Sequence, residues 1–137
     1  MAEIIFSLLF WIGANTEYDT NFPQPIVVMT TQGNMCEQFG INDKFRCEVS
    51  GLKGFYDEEQ TIYLGTDFNP MNNHHISRLL HELVHYVQYK NGRGTGTCRG
   101  DIEVEAYDLQ DKWRKTKGLE PILAEFNRLM LKASCSA

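Results

Sequence analysis

The chain has 137 residues, 42% of them hydrophobic and 23% charged, with thirteen Lys and Arg against eighteen Asp and Glu for a net charge of -5. That size suits one soluble globular domain over residues 1–137, large enough to bury a core. The scattered basic residues build no face for phosphate, which excludes nucleic acid as a partner; the one basic run, Lys112 to Lys117, falls where a helix should end and compensates its dipole.

The stretch Ile4 to Ile12 is apolar, yet Glu3 stands where an export signal would carry basic residues, and no fitting cleavage site follows. It is also too short to cross a bilayer, so no membrane span is expected and residues 3–13 read as a packed helix ending at Gly13. Tyr18 to Pro25 is turn chemistry, and the β-branched run Ile26 to Thr31 reads as a strand. Residues 32–52 give no clear period, with Gly33, Gly40 and Gly51 punctuating short pieces. Gly54 to Tyr56, a turn at Asp57 to Gln60, and Thr61 to Gly65 read as a β-hairpin.

Asn69 and Pro70 should open a helix as cap and first helical residue. Ile76, Leu80, Leu83, Val84 and Val87 form its apolar stripe, and Asn91-Gly92 its stop. The glycines at 92, 94, 96 and 100 make a loop. A second helix over 101–117 turns Ile102, Ala106, Leu109 and Trp113 inward and stops at Gly118. Pro121 starts a third through Ile122, Leu123, Phe126, Leu129 and Met130. The fold class is α+β: a small antiparallel sheet, then helices.

The first long helix carries His81-Glu82-Leu83-Val84-His85, the pattern HExxH. Histidines at i and i+4 lie about 40° apart round a helix and about 6 Å apart along it, so both imidazoles can reach one ion. Zinc takes imidazole readily in a tetrahedral site. Glu82, about 100° round from His81, can reach a water activated by the metal and act as general base. The pattern arises by accident on the order of once in a few hundred chains of this length, and the apolar residues around it fit a helix lining a cleft.

Catalytic zinc takes three protein ligands. The next helix offers Glu103 and Glu105, about 160° apart round the axis, and hydrophobic phase does not choose between them. Cys98 is a third candidate, since thiolate also suits zinc.

HExxH followed about eighteen residues later by a helical glutamate resembles the gluzincin class of zinc metallopeptidases, several families of which carry the ligand as Glu-x-x-Ala. That pattern maps onto Glu103-Val104-Glu105-Ala106, which implies a zincin-like domain with one Zn2+ held by His81, His85 and Glu103, and Glu105 as a solvated neighbour. Four residues after the ligand, where those families often place an Asp behind a zinc histidine, this chain has Tyr107. Tyr107 can support a ligand, stabilise an oxyanion as a catalytic group, or simply pack; Asp108 can stand behind the histidine if the helix is rotated. The chain is also similar to short, uncharacterised bacterial HExxH proteins that share Trp11 to Thr16, the HELVHYVQ helix and the Glu-x-Glu-Ala-Tyr helix.

The implied activity is hydrolysis of peptide bonds in a peptide or protein substrate. The alternatives are a non-catalytic zinc-bound interaction protein and a different divalent metal at the same site, since two histidines and a carboxylate also suit non-haem iron. His74 and His75 read as cleft edge and surface, Gln88 as a candidate support one turn after His85, and the Gly92 to Gly100 loop as a mobile rim. Thr61 to Gly65 is the strand expected to stand at the sheet edge and pair with extended substrate. Four cysteines allow two disulfides; Cys36 can bridge locally to Cys47, and Cys98 can meet Cys135 if the last helix folds back. The even count leans toward a periplasmic or secreted protein over a cytoplasmic one.

Overall fold

A computed structural model describes residues 1–50, 54–56, 61–94 and 96–135; the turn expected at Asp57 to Gln60 lies outside them. The architecture is α+β. In chain order the elements are α1 (Ala2–Asn15), β1 (Ile26–Thr30), α2 (Gln32–Phe39), α3 (Lys44–Ser50), β2 (Gly54–Tyr56), β3 (Thr61–Gly65), α4 (Asn73–Lys90), α5 (Arg99–Thr116) and α6 (Glu125–Ala133).

The N-terminal apolar run forms α1 and buries Ile5, Leu8, Leu9 and Ile12 in the core. It runs two residues past Gly13. A Cβ at that position would lie 2.9 Å from the Thr20 hydroxyl, so glycine here admits the returning chain and does not end the helix. Among the described residues no helix is long and apolar enough to cross a membrane.

The sheet is mixed rather than antiparallel. The hairpin pairs β2 with β3 as its sequence suggests, Phe55 opposite Tyr63, but β1 adds parallel to the other side of β3, Val28 opposite Tyr63. Parallel neighbours need a long crossover, and the segment without a clear period supplies it as α2 and α3. Thr31 caps α2 by accepting from the Asn34 N–H, Gly40 ends it at φ +97°, and the Cys36–Cys47 disulfide ties it to α3. The strand order β1-β3-β2 also puts Thr61 to Gly65 in the centre, so it is not the edge strand expected to receive substrate.

The core gathers on α4. Ile76, Leu79, Leu80, Leu83, Val84, Tyr86 and Val87 pack with the α1 residues above, Ile62 and Leu64 of β3, and Ala106, Leu109 and Trp113 of α5. The cap of α4 is Asn72, not Asn69: its side chain accepts from the N–H groups of His74 and His75. Asn69 and Pro70 instead make the turn before it, closed by the Asn72 N–H on the Asn69 carbonyl. Helix α5 ends just before Gly118, which is left-handed at φ +72°.

The last helix begins at Glu125 rather than Pro121, because the Asp111 carboxylate captures the Ile122 and Leu123 N–H groups at 2.7 and 3.1 Å and holds that stretch as a turn. It folds back along α5 through the Arg128–Asp108 ion pair and the Cys98–Cys135 disulfide. Its apolar residues Phe126, Leu129 and Met130 stay exposed, as does Ile122 in the turn before it.

Candidate metal centre

Helices α4 and α5 run antiparallel, so Ser77 meets Arg114 at one end of their contact and His85 meets Glu103 at the other. His81 and His85 lie one turn apart on α4, rings 4.8 Å apart and nearly perpendicular. Their Nε2 atoms are 3.1 Å apart, and Glu103 Oε1 lies 2.5 Å from that of His85 and 3.7 Å from that of His81. All three ligand atoms fall within 4.8 Å of one another. Ligand atoms round a tetrahedral zinc stand about 3.3–3.6 Å apart, and the three observed distances bracket that value.

What lies behind the rings decides which nitrogen faces the convergence point. His85 Nδ1 is 2.9 Å from Gln88 Oε1, and His81 Nδ1 is 3.0 Å from Gln110 Oε1. An amide oxygen only accepts, so each Nδ1 carries a proton and donates it. With Nδ1 so engaged, each ring turns its Nε2 toward the same point as Glu103 Oε1. That oxygen is buried, and its close neighbours are the two histidine Nε2 atoms. Three electron-rich atoms facing one point in a buried place call for a cation, either a metal ion or a proton on His85.

The electrostatics follow. Burial pushes His85 down, but the hydrogen bond to Glu103 and the charges of Glu82 and Glu103 outweigh it, leaving its pKa raised. Burial pushes Glu103 up, yet its contacts with the two histidines bring its carboxyl far below the usual range. Glu82 is buried next to the ligands and outside their set, and burial raises its carboxyl against the opposing pull of His81 and His85. Tyr107 packs its ring against His81 with centroids 4.5 Å apart, and its hydroxyl is raised by burial and by the charges of Glu103, Glu82 and Asp111.

The sequence profile of a domain of unknown function, DUF6647, matches residues 1–137. The chain belongs to that family. No curated protein and no solved structure matches it.

In this DUF6647 chain the structure brings together His81, His85 and Glu103, with Glu82 and Tyr107 beside them. It separates others. Cys98 is bonded to Cys135 and has no thiolate to offer; the grouping of those two sulfurs with Asp101 is a disulfide beside a carboxylate. Asp108 turns to Arg128 on α6 and does not stand behind a histidine. Glu105 faces away from the ligands, as its phase requires, but is no mere solvated neighbour: it accepts from Gln88, Arg93 and Tyr18.

His75 is half-buried, and its Nδ1 accepts the Asn69 N–H at 2.8 Å, so it braces the turn before α4 instead of lying free on the surface. His74 is exposed with Nδ1 3.2 Å from the Arg114 guanidinium. The loop after α4 is anchored at Arg93, whose N–H donates to the Gln88 carbonyl and whose side chain reaches Glu105 and Tyr18. Gln88 does support His85. Its counterpart Gln110 was not among the candidates, although it follows Glu103 by seven residues and so shares its helix face. The Ser77–Arg114 pair beyond Gln110 carried no sequence signal.

Proposed function

We propose that this DUF6647 domain is a zinc-dependent hydrolase of peptide bonds, built on a zincin-like plan in which an HExxH helix is completed by a glutamate from the following helix, as in gluzincins. The observation that carries the reading is the convergence of His81 Nε2, His85 Nε2 and Glu103 Oε1 on one point while both Nδ1 atoms are taken up by glutamine oxygens. Those three residues would hold the metal. When bound, zinc supplies Lewis acidity that polarises a carbonyl and acidifies water.

The chain's own residues do the rest. Glu82 takes a proton from water as the water oxygen attacks the carbonyl carbon, then passes it to the amine nitrogen as the C–N bond breaks. Its burial raises the carboxyl above the ordinary glutamate value, which makes its carboxylate a stronger base. A helix-borne base between two ligands favours hydrolysis over a purely structural metal, which needs no base. The two disulfides support an exported protein, since such bonds persist in oxidising compartments.

The test compares two isosteric variants. Glu82→Gln should keep about one zinc per chain by elemental analysis and lose ~10²–10⁴-fold in rate on a fluorogenic peptide library. Glu103→Gln should lose metal and activity together. Wild-type turnover in Glu82→Gln would sink the mechanism. Full zinc in Glu103→Gln would sink the ligand set, and iron in place of zinc would favour the other metal.

A further inference from the structure

The backing of the two histidines raises a question of orientation. A glutamine amide has an accepting end and a donating end of nearly equal shape, and only its partners decide which faces where. Gln88 is fully buried, so nothing but protein can decide. At its far end the Nε2 group lies 3.0 Å from the Ile102 carbonyl and 2.8 Å from Glu105 Oε1, both of which only accept. The NH2 must therefore point there, and the oxygen must point at His85.

Glu105 is itself fixed. Arg93 Nη1 donates to it at 3.0 Å and to the Tyr18 hydroxyl at 2.7 Å, and Tyr18 donates to the same carboxylate oxygen. This group lines a cavity of about 780 Å³ behind α5, on the side of that helix turned away from the ligand set.

We infer that Glu105 is a positioning residue for the metal centre: held by Arg93 and Tyr18, it joins the Ile102 carbonyl in fixing the orientation of the Gln88 amide, which keeps the His85 proton on Nδ1 and leaves Nε2 for the ion. The inference rests on the metal-centre reading above. Helix α5 thus acts on the site twice, through Glu103 from the front and through Glu105 by way of Gln88 from behind. His81 provides an internal control. Its partner Gln110 donates to Ser77 Oγ, and Ser77 also receives Arg114 and donates to the His74 carbonyl; no member of that line touches Glu105.

The experiment reads the tautomer and the affinity separately. In chelated full-length protein at alkaline pH, long-range proton–nitrogen correlation should find the His85 ring proton on Nδ1. Glu105→Met, which keeps length but cannot accept, should shift His85 toward the Nε2–H form while His81 stays unchanged. It should also weaken zinc binding by about tenfold, the lower end for groups behind metal ligands. Glu105→Gln keeps an accepting oxygen and should restore both. A wild-type His85 protonated on Nε2 overturns the proposal, as does a Glu105→Met protein that leaves His85 unchanged or alters both histidines alike. If Glu105→Met does not fold, the wild-type tautomer decides alone. If the wild type holds no zinc, the metal reading falls, and the tautomer result still decides the role of Glu105.

Discussion

Helix α4 and helix α6 are both amphipathic in sequence, yet one is the centre of the molecule and the other lies along its flank. Eleven of the eighteen residues of α4 are buried, against none of the nine in α6. The centre is held by apolar burial from α1, β3 and α5. The flank is held by polar and covalent ties: Asp111 on two N–H groups, Arg128 on Asp108, and Cys135 on Cys98. The α2–α3 crossover is similar, burying Met35 and Cys36 and closed by its own disulfide. The three candidate metal ligands all come from α4 and α5, so the candidate site sits on the part that burial makes rigid.

The sharpest way to break the contrast is to open the centre. Leu79 is fully buried, and Leu79→Ala should cost about 2–5 kcal/mol in urea unfolding. A loss under about 1 kcal/mol would mean that the core relaxes around the gap and is less tightly built than described.

The staples come next. Replacing Cys98 and Cys135 by Ser releases a link between residues 37 apart, worth about 4 kcal/mol in the chain-entropy account. Replacing Cys36 and Cys47, 11 apart, should cost about 3 kcal/mol. Both variants should keep their zinc under native conditions. Loss of metal from either would show that the flank supports the site.

The same contrast explains what could be read from the sequence. The apolar stripe of α4 and the HExxH spacing are local periodicities, so the helix and the proximity of His81 to His85 were legible. Glu103 and Glu105 were not separable by hydrophobic phase, because both border the Ala106, Leu109 and Trp113 face; a resemblance to gluzincins pointed to Glu103, and the structure places it with the histidines. The crossover was illegible because α2 and α3 are short, with Gly33 and Gly40 in or beside α2, and a disulfide joins them. In α6 the stripe told only that one face is apolar. Which way that face turns is set by Asp108, Asp111 and Cys98, polar partners distant in sequence.

A smaller effect should appear with pH in the chelated protein. His85 is raised in the fold, so its contribution is complete below its ordinary value of 6.5 and fades as pH rises through the raised one. Glu103 is lowered, so its contribution is complete above its ordinary 4.5 and fades as pH falls through the lowered one. The pair therefore supports the chelated protein best between about pH 4.5 and 6.5. Zinc must displace the His85 proton. The difference in Tm between loaded and chelated protein should accordingly grow from pH 5 to pH 8, a range spanning the ordinary histidine value. A difference that is flat or falls with pH would remove His85 from the ligand set.

The smallest effect tests the flank directly. Phe126 is the most exposed of the apolar residues on α6, at 70% of its full surface. A phenylalanine packed inward would cost about 3–5 kcal/mol on truncation. One already in water loses almost no burial, and serine at this position gives up only a few tenths of a kcal/mol in helix propensity. Phe126→Ser should therefore move the unfolding free energy by no more than about 0.5 kcal/mol, as exposed substitutions do. It should leave zinc content untouched, since none of the three candidate ligands His81, His85 and Glu103 lies on α6. Concentration must be held fixed and low, because an outward apolar stripe can associate and lend an apparent stability that the single chain lacks. A cost above about 2 kcal/mol in dilute protein would mean that the stripe packs inward, and that the polar ties of Asp111 and Arg128 do not set the orientation of α6.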